Sequence, residues 1–128
     1  MTATSSRSMM INLSETASNA MLDELSRLMD GGSIELQTGD GKLLVVMQLS
    51  DPATMAAVDG GLEFKTISAT RAHARGDAAV ARILGADGGE VFICDVGDRN
   101  SEAVIKVNRT QIDRDDPVVL DSFRLVMP

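Results

Sequence analysis

Tryptophan and tyrosine are absent from the 128-residue chain, and its aromatic side chains amount to three phenylalanines. Modules that stack bases or sugar rings, and interfaces anchored on aromatic hot spots, depend on such faces, so these classes are disfavoured. Basic residues are also few: 12 Lys and Arg stand against 19 Asp and Glu, a net charge of −7. Binding to a phosphate backbone is driven by clustered cations, so no nucleic-acid partner is expected. A single cysteine, Cys94, rules out an internal disulfide; its place in the apolar run VFIC (91–94) predicts a buried free thiol. No stretch approaches the roughly 18 to 20 apolar residues of a membrane helix, and no signal-peptide apolar region is visible. A soluble protein made in a cytoplasm is the expectation.

What remains is a chain that is 44% hydrophobic, long enough for one core, in which Val, Ile, Leu, Ala and eight Met must supply the packing. Residues 1–11, MTATSSRSMMI, are Ser/Thr-rich without a clean period and predict a flexible N-terminal arm. A single domain is expected over 12–128. Asn12 or Ser14 can cap a helix over about 13–30, in which Ala17, Met21, Leu25 and Leu28 recur at helical spacing and Met29 widens the stripe. Gly31 and Gly32 suit its C-terminal end.

Beyond Gly32 the pattern becomes short apolar runs broken by turn signals every eight to twelve residues. Strands are predicted at 33–38 (Ile34 and Leu36 inward), 42–50 (Val45, Met47 and Leu49 on one face), 62–69, 77–85, 91–96, 103–108 and 117–128. In 77–85, Ala79, Ala81 and Ile83 are expected to share one side. ADGGE (86–90) reads as a hairpin turn, GDG (39–41) as a tight turn, and 53–61 as a loop with one helical turn. The predicted fold is mainly β, an antiparallel β-sandwich or barrel-like domain with one N-terminal α-helix. The stretch 117–127 is a candidate edge strand, with Phe123, Leu125 and Met127 alternating.

Chemistry is sparse. The only histidine, His73, lies in the polar loop TRAHAR (70–75) with no Cys or Asp at metal-ligand spacing. No G-x-S-x-G elbow supports a triad, and the apolar flanks of Cys94 argue against a thiol nucleophile. DGGE (87–90) and DRDD (113–116) are the densest carboxylates, yet neither has the length of a calcium loop, and turn chemistry accounts for them. GDGK (39–42) is not a phosphate loop. Arg71, Arg75 and Arg82 read as solvated charges or ion-pair partners. No catalytic residue, metal site or cofactor is therefore expected, and no enzymatic activity.

The run LDELSRLMDGGSIELQTGDGKLLVVMQLSDPAT (22–54) resembles a family of small, mostly uncharacterised bacteriophage structural proteins. These share a short helix ending near Gly-Gly, a strand ending in Thr-Gly, and a second strand followed by Ser-x-Pro-Ala. The likeness continues through 60–97 and reaches SFRLVMP (122–128). The charged loop GDRNSEAVIK (97–106) and the scarcity of aromatics depart from the family pattern. The resemblance implies a virion component made in a bacterial host's cytoplasm, such as a capsid decoration or a head, neck or tail accessory protein. Its expected partners are other virion proteins, and it is expected to form a homo-oligomer or symmetric array. Met9, Met10, Ile11, Phe123, Leu125 and Met127 are the candidate assembly contacts. The alternative function is a small-ligand or glycan-binding sandwich of the adhesion type.

Overall fold

Ser14 caps the one helix found among the described residues, which in this computed structural model are 14–65 and 67–126. Its backbone is extended (φ −64°, ψ 157°), and its hydroxyl accepts the Ala17 N–H at 3.1 Å, satisfying a donor that the first helical turn leaves free. Helix α1 then runs Glu15–Met29, with Glu15 and Arg27 at the ends where the helix dipole favours their charges. Gly31, at φ 70°, turns the chain away. The expected arm at 1–11, with Met9, Met10 and Ile11, and the terminal Met127 lie outside the described residues.

The face that α1 buries differs from the expected one. Met29 is buried and Leu25 partly buried, as the stripe predicted, but Ser18, Leu22 and Ser26 complete the inward face, whereas Met21 is 53% and Leu28 56% exposed. Hydrogen bonds from the 53–60 loop set the helix's roll. The amide oxygen of Asn19 accepts Gly60 N–H, and the carboxylates of Asp23 and Asp30 accept the N–H groups of Ala57 and Ala53. These three bonds hold one flank of α1 against the loop and leave the Met21–Leu28 flank on the far side.

Eleven strands follow among the described residues: β1 (Ser33–Gln37), β2 (Leu43–Gln48), β3 (Gly61–Glu63), β4 (Thr70–Arg71), β5 (Gly76–Asp77), β6 (Val80–Leu84), β7 (Glu90–Asp98), β8 (Ile105–Val107), β9 (Gln111–Ile112), β10 (Pro117–Val118) and β11 (Leu120–Val126). The fold is mainly β with one helix, as expected. One seven-stranded sheet, ordered β2-β1-β6-β7-β8-β11-β3, carries the domain, and β10-β4 and β5-β9 form two-stranded ribbons. The sheet does not close into a barrel, because β2 and β3 remain its two ends. All pairings are antiparallel except β7 with β8.

Several local expectations need correction. The 117–127 stretch breaks at Val119 into β10 and β11, and β11 lies between β8 and β3, so it is an interior strand and not an edge. Ala79 is exposed while Ala78 is buried. The backbone there is pulled two ways, with Ala78 N–H donating to Thr110 C=O and Ala79 N–H to Gln37 C=O, and strand alternation begins only at Val80. The 53–61 loop has no helical turn; it is held by isolated bridges between Thr54 and Phe64 and between Val58 and Gly61. The predicted strand at 62–69 ends early, after Glu63 and the Phe64 bridge.

Residues paired across strands share a sheet face, so the register defines the core. Ile34 pairs with Met47 and Ile83, Leu36 with Val45 and Ala81, and Val96 with Ile105; all are buried. Leu22 and Met29 of α1 join this cluster. One polar contact lies inside it. The hydroxyls of Ser26 and Thr54 are 2.6 Å apart, and Thr54 donates onward to Met55 C=O at 2.9 Å, so Ser26 is the donor to Thr54. Removing Thr54 leaves the buried Ser26 hydroxyl unpaired, which costs about 1–3 kcal/mol, whereas removing Ser26 leaves Thr54 its bond to Met55 C=O, and removing both orphans neither. Thermal or denaturant melts of Ser26→Ala, Thr54→Val and the double variant should therefore show the double losing less than the sum of the singles.

Candidate functional site

The residues singled out for chemistry are dispersed. His73 is exposed, and its backbone N–H donates to Leu44 C=O. No group of three or more His, Cys, Asp or Glu suited to a metal ion occurs among the described residues. The two acidic segments make turns. Asp87 accepts Gly89 N–H at 2.9 Å beside Gly88 at φ 85°, and Asp116 accepts Asp113 N–H at 2.9 Å beside Asp115 at φ 69°. Each arginine of the expected set has a partner: Arg71 reaches Asp115 C=O, Arg75 pairs with Asp113, and Arg82 pairs with Glu90 and Glu35.

Cys94 is half-buried on β7, on the same face as Ala81. Burial pushes its thiol up to about 12, and the neighbouring Asp95 carboxylate adds to the effect. The thiolate is the reacting species, so the folded protein should be nearly inert to a thiol reagent at pH 8 and react readily once unfolded in denaturant. Between the ordinary thiol value of 9.0 and about 12, the unfolded chain holds fewer protons than the folded one. Stability is therefore expected to fall as pH rises through that window, and a Cys94→Ala variant should lack that component.

A polar cleft of about 750 Å³ opens where the β5–β9 ribbon meets the ends of β7 and β8, lined by Arg75, Asp77, Asp98, Arg99 and Arg109 among others. Its three arginines are each tied to a carboxylate, Arg75 to Asp113 (3.1 Å), Arg99 to Asp121 (3.2 Å) and Arg109 to Asp116. Such exposed, internally paired charges offer an incoming anion little net field.

A second, more apolar groove of about 510 Å³ runs between the C-terminal half of α1 and the β6–β7 hairpin. Leu25 and Leu28 form one wall, and Ala86 and Val91 contribute the other. At its base the two backbones nearly touch: a Cβ added to Gly85 would lie 2.7 Å from the Leu28 carbonyl oxygen. Met21 continues the apolar line one helical turn before Leu25, at the i, i+4, i+7 spacing that keeps side chains on one face. The rim is acidic. Asp30, Asp87 and Glu90 stand on it against Arg27; Glu90 is paired with Arg82 and Arg27 with Glu24, so Asp30 and Asp87 carry the rim's excess negative charge. Of the candidate contacts expected from sequence, Phe123 is only 4% exposed and belongs to the core, and Leu125 is half-buried against it. The Ala17–Met21–Leu25–Leu28 stripe was visible in the sequence as a set. That Met21 and Leu28 face outward, while Leu25 is partly buried against the core, was hidden, because the bonds that roll the helix come from residues more than twenty positions away.

No family model, curated protein or solved structure matches the chain.

Proposed function

We propose that this chain is a non-enzymatic virion structural protein, a capsid decoration or a head, neck or tail accessory protein that docks on a larger assembly. The observation that carries the reading is the apolar stripe on α1, where Met21 and Leu28 are more than half exposed and Leu28 lines a groove at the helix's end. Exposed apolar patches of this kind on a small domain are characteristic of protein contact sites. The sequence resemblance to phage structural proteins supplies the class of assembly, and the expected partners are other virion proteins or copies of the chain. A mass-spectrometric inventory of purified particles tests the reading: the protein is expected at a copy number comparable to other repeated components, and its absence would overturn the virion assignment. The ligand-binding alternative has the polar cleft as its support, and a glycan array without hits removes it.

A further inference from the structure

The groove beside α1 calls for an apolar segment with a positive flank, since its walls are Leu25, Leu28 and Val91 and its rim carries more carboxylate than guanidinium. The chain itself contains one. Residues 8–13 read Ser-Met-Met-Ile-Asn-Leu, and the only charge anywhere in residues 1–13 is Arg7. This stretch joins the described structure at Ser14, the cap at the opposite end of the same helix.

The length of the tether decides whose groove it reaches. Leu28 lies 14 residues beyond Ser14, about 21 Å along the helix axis at 1.5 Å per residue. Five extended residues (9–13) span about 17 Å, and a reversal at the cap uses up part of that. A tether of that length reaches at most level with Leu25 of its own helix and falls short of Leu28. A neighbouring copy has no such restriction.

We infer that residues 8–13 of one copy seat in the α1–hairpin groove of the next, with Met9, Met10 and Ile11 against Leu25 and Leu28 and Arg7 toward the acidic rim. The contact is head-to-tail: segment and groove are different surfaces, so each copy both gives and receives, and repetition builds a ring or a filament. This rests on the reading of the chain as an assembly domain and names the surface that the reading requires.

The test uses the full chain and two variants altered on opposite halves of the contact. Leu28→Glu places a charge in the groove, and Met10→Glu with Ile11→Glu places two in the segment. Sedimentation velocity over a concentration series is expected to show self-association of the unaltered chain, weakened at least tenfold in each variant alone. Mixing the two variants should restore a one-to-one complex and nothing larger, since only one intact segment and one intact groove remain to meet. Far-ultraviolet circular dichroism checks that both variants stay folded, as expected for the exposed Leu28. A mixture that stays monomeric, a variant that associates like the unaltered chain, or an unaltered chain monomeric at its highest soluble concentration would each overturn the inference. The particle inventory is independent: a failed inventory leaves the mixing result standing, and a failed mixing experiment leaves the inventory standing.

Discussion

Replacing Gly32 by alanine is expected to be among the most damaging single changes in the protein. A Cβ at this position would lie 1.9 Å from the carbonyl oxygen of Leu84 and 2.9 Å from its carbon, both backbone atoms that cannot step aside by rotating a side chain. Gly32 is also bonded on both sides, its N–H to Met29 C=O and its own C=O from Leu49 N–H, so the chain cannot slide without losing one or the other. The junction of α1 and β1 with the end of β6 would have to open. Overpacking typically costs about 1–3 kcal/mol, and a backbone clash this close places Gly32→Ala at about 3 kcal/mol or beyond. Differential scanning calorimetry should show the melting midpoint lowered by about 10 °C or more. Gly39 provides the control. A Cβ there meets nothing within 4 Å, so Gly39→Ala should leave the midpoint unchanged or slightly raised. If the two variants melt alike, the clash at Gly32 is not decisive.

Phe123→Ala is the second large effect. The ring of Phe123 stacks on Phe64 with centroids 3.6 Å apart and planes within 5°, and Phe92 meets its edge at 6.4 Å. The three phenylalanines of the chain thus form one cluster, joining β7, β11 and the Thr54–Phe64 bridge. Truncating a buried phenylalanine to alanine costs about 3–5 kcal/mol through lost transfer energy and the cavity left behind. Urea unfolding should show the midpoint falling with little change in slope, and Phe123→Leu should recover much of the loss because most of the volume returns. A loss for Phe123→Ala below 1 kcal/mol would mean that the ring contributes little to the core.

Much of the fold was legible in local pattern. Strict alternation placed Ile34 and Leu36, and Val45, Met47 and Leu49, on the buried face, and the structure has them there. The helix's start at a capping serine and its stop at Gly31 likewise follow from side-chain and backbone chemistry within one turn. What stayed hidden depends on partners far away in the chain. Ser18 and Ser26 are poor candidates for a buried helix face on hydropathy alone, and Ser26 is stable there only because Thr54, 28 residues later, accepts its hydroxyl. The interior position of β11 depends on pairing with β3, some sixty residues earlier, a separation at which alternation in either strand carries no information. The β9 strand, only two residues long, left no periodic trace. For the candidate site the same holds: the apolar stripe was visible, but which way it faces is a property of the 53–60 loop.

The order of the sheet has a consequence for how the chain emerges during synthesis. Of the described elements helix α1 emerges before the strands, yet β3, the strand it packs against, pairs in the sheet with β11 alone. A nascent chain lacking residues 120–126 therefore has a helix without a finished seat, with Leu22 and Met29 still in need of cover. Local hairpins such as β1–β2 and β6–β7 can close as they appear, but α1 waits for β11. Until then a holding chaperone, or another unfinished chain, competes for the same apolar helix.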